Sequence, residues 1–363
     1  MHTMRYLILL ATMALGLMGG TVEFLPGKSN EFSPSRGERF EIPVMLKEPA
    51  KVSLEIYTPD GALIRKLGGE RFLEKGKHLF RWDGKDWEGT VVPDEAYDLV
   101  LRAENREGNV TVVDPRLNSG GVLLRNIDPK VSRSGKIVYR LEAPARVTIR
   151  LGVKGGALLR TLLEWRPKNR GKNIQIWDGY DQDHLINLRQ NRKLEIALSA
   201  FTLADHAVLT TGNRTLDYFD YIHRKKLTPS MTAKQKRFDE AKEKKRFSPY
   251  YTRSLESLRN PRVLIRFPET LPRNGEGIPI VEKGKPVRVK VLLDEADAKR
   301  MAKVKYEITF FDDLEFIAEE EMGYVPISWM WQPKGEKGAH TFTVNLSSFD
   351  GHVGVKSVRY LIQ

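Results

Sequence analysis

The 363-residue chain contains no cysteine. That excludes disulfides, thiolate metal sites, covalently attached haem of the C-x-x-C-H type and a lipid-modified N-terminal cysteine. Its folded parts must stand on packing alone. Long apolar runs are scarce too. The stretch from Tyr6 to Gly20, after Met1-His2-Thr3-Met4-Arg5, carries no charge, but its apolar part is shorter than the roughly 20 residues that cross a bilayer. With small residues at Ala14-Leu15-Gly16 and Met18-Gly19-Gly20 it reads as a signal peptide over residues 1–20. No later segment could span a membrane. The expected mature chain is therefore exported, to the periplasm or to the cell surface. Catalytic signatures are missing as well: there is no G-x-S-x-G, no H-E-x-x-H, no P-loop and no G-x-G-x-x-G after a strand.

What is present is enough apolar material for several cores. Hydrophobic residues make up 40% of the chain, and its length leaves room for about two to four domains. The formal charge of +13 is unevenly placed, with thirteen Lys/Arg against four Asp/Glu between Ile222 and Arg262. The basic character belongs mainly to one segment.

The chain matches itself, without a gap, at the shift of 95 residues that takes Trp82 to Trp177. Pro34 meets Pro129, Ile42 meets Ile137, and Pro49-Ala50-Lys51-Val52 meets Pro144-Ala145-Arg146-Val147. Gly61 to Leu67 meets Gly156 to Leu162, Gly76-Lys77 meets Gly171-Lys172, and Trp82-Asp83-Gly84 meets Trp177-Asp178-Gly179. Within each copy, Val52, Leu54 and Ile56 alternate with Lys51, Ser53 and Glu55, as Val147, Ile149 and Leu151 alternate with Arg146, Thr148 and Arg150. This is the period of half-buried strands, and a one-residue slip would bury the charges. Short strands in units near 100 residues fit an immunoglobulin-like sandwich.

These residues also carry a family resemblance. The run Ala50 to Tyr57, then Gly61-x-Leu63-x-Arg65-x-Leu67, then Gly76-Lys77-His78 leading to Trp82-Asp83-Gly84-Lys85-Asp86, and finally Tyr97 to Leu101, resembles the Ig-like module of flagellar hook-capping (FlgD) proteins. Copy two keeps Gly156, Arg160, Gly171 and Trp177-Asp178-Gly179, but has Arg192 where copy one has Tyr97. The resemblance covers about residues 30–200 and implies a fold and a scaffolding habit, not a reaction. It does not make the chain a hook cap, because a Sec-type leader belongs to a different export route.

From Arg262 the strand pattern returns. Val287, Val289, Val291 and Leu293 form one stripe, followed by Val304 to Phe310, Phe342 to Leu346, and Tyr360 and Ile362. A third Ig-like or cadherin-like sandwich is expected there, with Gly338-Ala339-His340 opening its closing hairpin. Between, Thr228-Pro229-Ser230 starts a predicted helix from about Met231 to Phe247, with only a thin apolar stripe. It reads as an exposed basic connector, and the aromatics from Tyr218 to Tyr251 suggest packing against a neighbouring domain rather than base stacking.

The expected architecture is thus all-β: a signal peptide (1–20), FlgD-type Ig-like domains at 21–114 and 115–203, a basic, partly helical connector at 204–261, and a third sandwich at 262–363. The Trp-Asp-Gly corners are assigned structural roles. Trp82 and Trp177 cap the cores, Asp83 and Asp178 accept backbone N–H groups, and Gly84 and Gly179 take positive φ. Asp83, Asp86 and Glu88 recur as Asp178, Asp181 and Asp183, a calcium candidate by composition but not by EF-hand spacing, so no metal is assigned. Lys242, Lys244, Lys245 and Arg246 are the candidate site for an anionic partner. The histidines are scattered, with His340 and His352 the only pair that one hairpin could bring together, and are read as surface residues. No cofactor, catalytic residue or nucleic-acid role follows, and an enzyme would need a cleft between the second and third modules. The reading is a non-catalytic exported scaffold that binds envelope or cell-surface proteins, acidic ones in particular. The rival is a carbohydrate-binding or accessory module, for which Trp329 and Trp331 are the only aromatic pair on one strand face.

Overall fold

The computed structural model describes residues 20–363 apart from 133, 214 and 350 and, within 229–258, all but 239, 242 and 243. The leader and the helix expected from Met231 to Phe247 lie outside the described residues or nearly so. No helix among the described residues is long and apolar enough to cross a membrane.

The first repeat supplies β1 (Val22–Phe24), β2 (Glu31–Phe32), β3 (Phe40–Leu46), β4 (Ala50–Tyr57), β5 (Leu63–Leu73), β6 (Gly76–Trp82), β7 (Ala96–Asn105) and β8 (Val110–Val113). They form a three-stranded sheet in the order β1-β3-β6, facing a sheet that contains β7-β4-β5, with β8 on β7. Ile42, Val44, Leu46, Val52, Leu54, Ile56, Leu99 and Leu101 point between the sheets and are buried. Hiding each of these side chains contributes about 1.5–3 kcal/mol.

The second repeat supplies β9 (Lys130–Val131), β10 (Lys136–Leu141), β11 (Ala145–Val153), β12 (Leu158–Lys168), β13 (Gly171–Ile176) and β14 (Leu194–Thr202). Its sheets run β13-β10-β9 and β12-β11-β14, with Ile137, Leu141, Val147, Ile149 and Leu151 in the core. The same alternation in both repeats buries equivalent positions.

The segment after the second repeat departs from the expected free connector. Strand β15 (Val208–Thr210) returns to the first sandwich, antiparallel to β7 and parallel to β2. Helix α1 (Tyr218–Arg224) follows, its N-terminus capped by Asp217, and buries Tyr218, Tyr221 and Ile222 in the first sandwich's core. Strand β15 and helix α1 therefore belong structurally to the first sandwich. The reason is the apolar set Ala207, Val208, Leu209, Tyr218, Tyr221 and Ile222, which has no other face to cover.

The third unit contains β16 (Val263–Arg266), β17 (Ile280–Val281), β18 (Val287–Leu293), α2 (Glu295–Met301), β19 (Tyr306–Asp312), β20 (Glu315–Glu320), β21 (Ile327–Trp331), β22 (Gly338–Ser348) and β23 (Val353–Ile362). Its sheets run β16-β18-β21 and β17-β23-β22-β19-β20. Helix α2 was not anticipated. Its signals are local: Asp294 Oδ1 accepts the Asp297 N–H at 2.8 Å, with acids in the first turn and Lys299 and Arg300 in the last.

The sandwiches touch along their flanks rather than only end to end. Between the first and second, Arg146 Nη2 meets Glu95 Oε1 at 2.9 Å, with both side chains almost wholly buried. Glu95 also accepts the Ala96 N–H, and Arg146 donates to the Trp165 carbonyl. Between the second and third, the Asn345 amide accepts the Leu158 N–H and donates to the Leu158 carbonyl, both at 2.8 Å, so one side chain stands in for a missing strand beside β12. Phe311 of the third sandwich is buried in the second one's core.

A buried pair is costly to break from one side because the remaining charge loses its partner. Glu95→Ala is expected to destabilise the chain by about 3–5 kcal/mol in urea unfolding, and Glu95→Leu with Arg146→Met to recover most of that loss. Equal losses in the single and double variants would contradict the interface.

Candidate functional site

The two Trp-Asp-Gly corners take the same form. Trp82 packs against Phe32 and Tyr97, at ring-centroid distances of 5.5 and 5.4 Å, and its Nε1 donates to the Lys85 carbonyl at 2.9 Å. Trp177 Nε1 donates to the Tyr180 carbonyl, also at 2.9 Å. Asp83 accepts the Lys85 N–H at 3.1 Å, as Asp178 accepts that of Tyr180 at 3.0 Å. Gly84 and Gly179 sit at φ of 72° and 97°. In copy two Arg160, the counterpart of Arg65, adds an ion pair, its Nη1 lying 2.6 Å from Asp178, whereas Arg65 donates to the Asp86 carbonyl. Burial works against the Asp178 carboxylate, but the Tyr180 amide and the Arg160 guanidinium outweigh it and hold its pKa below the usual range.

The acids beyond the corners are committed to protein groups. Asp86 Oδ1 accepts the N–H groups of Glu88 and Thr90 at 3.0 and 2.9 Å. Asp181 Oδ1 accepts those of Leu185 and Ile186, both at 2.7 Å. Glu88 and Asp183 occupy equivalent repeat positions, and each grips a segment from much later in the chain. Glu88 pairs with Lys225 at the end of α1 at 2.5 Å, where Asp86 also accepts the Tyr221 hydroxyl at 3.0 Å. Asp183 pairs with Lys356 and accepts the Ser357 N–H on β23, each at 2.6 Å. No group of three His, Cys, Asp or Glu side chains among the described residues is placed to hold a metal ion. What these loops do chemically is clamp segments that arrive from later in the chain.

Of the basic candidates, Lys242 is exposed, whereas Lys244, Lys245 and Arg246 lie outside the described residues. His340 and His352 do not meet, because the pairing from Gly338↔Ile362 to Ser347↔Val353 puts them at opposite ends of the β22–β23 hairpin. Nor is His352 a surface residue: it is buried. Burial disfavours protonation of His340, but Asp313 and the Glu336 carbonyl beside its ring nitrogens raise its pKa. Trp331 is buried and Trp329 stacks on Phe310 at 4.5 Å, so this pair fills the core and offers no aromatic platform. A groove of about 460 Å³, lined by Asp94, Arg166, Lys168, Asn213 and Asp217, lies between the first and second sandwiches. Arg166 and Asp217 pair across it at 3.4 Å.

The outer surface is more distinctive. Among the described residues, β5 and β6 of the first sandwich, β13 of the second and β20 and β21 of the third are edge strands with no further strand paired with them. The edges of the three-stranded sheets carry exposed apolar side chains, Leu79 on β6, Ile174 and Ile176 on β13, and Met330 on β21, and Phe316 is exposed on β20. Sequence alternation places these residues outward but does not say which strands lack a neighbour.

Residues 29–107 match the family model of the FlgD Ig-like domain. The Basal-body rod modification protein FlgD of Salmonella typhimurium is 44% identical over 64 residues, covering 17% of this chain and 27% of that protein. The same protein of Salmonella typhi matches equally. The match thus spans about a quarter of those relatives' length. The fibronectin(III)-like modules of CbhA from Clostridium thermocellum align over 94% of both chains at 11% identity, with a TM-score of 0.20. That score is no evidence of a shared arrangement of domains.

The corners differ in what surrounds the glycine. A Cβ at Gly84 would lie 2.2 Å from Pro34 Cγ, whereas one at Gly179 would first meet the flexible Arg189 guanidinium at 2.9 Å. Since positive φ alone costs a β-carbon about 1–2 kcal/mol, Gly179→Ala should lose about that much and Gly84→Ala clearly more. Thermal unfolding of the two variants checks this, and equal shifts would contradict it.

Proposed function

We propose that this chain is a non-catalytic, exported scaffold of the bacterial envelope or cell surface that binds other proteins. The observation that carries this reading is the contrast between joints and edges. Polar side chains join one sandwich to the next at Glu95–Arg146, Asp183–Lys356 and Asn345–Leu158, while the edge strands β6, β13, β20 and β21 have no further strand paired with them among the described residues. Buried, hydrogen-bonded joints fix the orientation of the modules, and unpaired edges with exposed apolar side chains are surfaces on which partners assemble. The FlgD-like first module is in keeping with an envelope setting and with scaffolding. The net charge of +13 favours acidic partners.

The carbohydrate-binding alternative loses its supporting feature, since Trp329 and Trp331 face the core. The two readings separate in one experiment. The chain, immobilised and challenged with envelope extract at low and high salt, is expected to retain proteins in a salt-sensitive manner. Retention of glycan alone, unaffected by prior proteolysis of the extract, would overturn the scaffold in favour of the alternative.

A further inference from the structure

The repeat contains its own control. The outer faces of the β1-β3-β6 and β9-β10-β13 sheets are equivalent, yet their chemistry differs. In the first sandwich the face is balanced: Glu41 lies opposite Arg81 and pairs with it at 3.2 Å, while Pro43 lies opposite Leu79 and Met45 opposite Lys77. In the second, Lys136 replaces Glu41, Arg140 replaces Met45, and Ile176 replaces Arg81. The rows there read Lys136 opposite Ile176, Val138 opposite Ile174 with Lys130 on its other side, and Arg140 opposite Lys172.

The result is an apolar strip of Val138, Ile174 and Ile176 bordered by Lys130, Lys136, Arg140 and Lys172. All four cations are exposed, Ile174 is 50% and Ile176 73% exposed, and none of the four cationic groups has a carboxylate partner among the described residues. Like charges directly opposed on neighbouring strands, as at Arg140 and Lys172, destabilise a sheet, and so does solvation of two large isoleucines. Both penalties are removed by a partner that is acidic and apolar by turns.

Resting on the scaffold reading above, we propose that this face, together with the free edge of β13, binds an acidic, extended protein segment that joins the sheet as a further strand. Among the described residues β13 ends its sheet, so alternate N–H and C=O groups along it point away from β10. An incoming strand satisfies those groups, and its every second side chain lies on this same outer face, where carboxylates meet the cations and apolar side chains cover the isoleucines. An anionic bilayer fits the side chains but not the edge, because backbone groups taken toward hydrocarbon without a hydrogen-bond partner are costly.

The test uses the full chain and a variant carrying the first repeat's residues, Lys136→Glu, Arg140→Met and Ile176→Arg. All three positions are exposed, and unchanged circular dichroism and melting temperature establish that the variant folds. The probe is a fluorescent peptide in which every second residue is by turns glutamate and valine and the residues between are threonine, so that one strand face carries both. It is expected to bind the native chain, to weaken as salt shortens the screening length, to bind the variant about tenfold or more weakly, and to slow hydrogen exchange in β13. Equal binding to both proteins, no protection of β13, or binding to phosphatidylglycerol vesicles without binding to the peptide would overturn the proposal. Envelope proteins retained equally by the native chain and the variant would overturn the assignment of this face while leaving the scaffold intact.

Discussion

Two facing sheets can hide every inward side chain from water, but each sheet still ends in strands whose outer N–H and C=O groups lack a neighbour. This constraint organises the whole molecule. Some ends are covered from within: β15 extends the first sandwich beside β7, and the Asn345 amide caps the backbone of Leu158 on β12. The remaining ends, β6, β13, β20 and β21, pair with no further strand among the described residues. Covering one set of edges joins the modules, and leaving the other set exposed gives the joined modules something to bind.

The joints reuse the repeat. One acidic loop position, Glu88 in the first copy and Asp183 in the second, pairs with a lysine from a distant later segment, Lys225 or Lys356. Elsewhere the copies have diverged. Arg146 stands where the first copy has Lys51, and its guanidinium reaches Glu95 of the preceding sandwich in a setting that excludes water. A planar guanidinium that donates to both a carboxylate and a carbonyl suits that position better than an ammonium. Duplication supplied equivalent sandwiches, and substitutions at their flanks made one a neighbour of the other.

Much of the fold was legible because alternation fixes faces. Val52, Leu54 and Ile56 and their counterparts Val147, Ile149 and Leu151 are buried, and the strand pattern identifies the all-β class without any contact information. The return of β15 and α1 to the first sandwich was not legible. A short apolar stretch after a repeat looks like a linker until the groove that accepts it is known, although Asp217 before Tyr218-Phe219-Asp220-Tyr221 is a recognisable helix start. The open edges were hidden for a similar reason: periodicity tells which way Ile174 points, while only pairing tells that no described strand lies beside its own. The basic residues that attract attention in sequence, Lys242 to Arg246, form a run. Those on the β9-β10-β13 face are scattered along the chain and are gathered only by strand register.

The central claim is that the covered edges and buried joints make one rigid body of the three sandwiches. Rotational correlation times from backbone amide relaxation test it most directly. The account predicts one common value for amides in β4, β11 and β22, as for a single particle of 41.5 kDa. Separate, shorter values for the three sandwiches would mean that they tumble independently, and would contradict it.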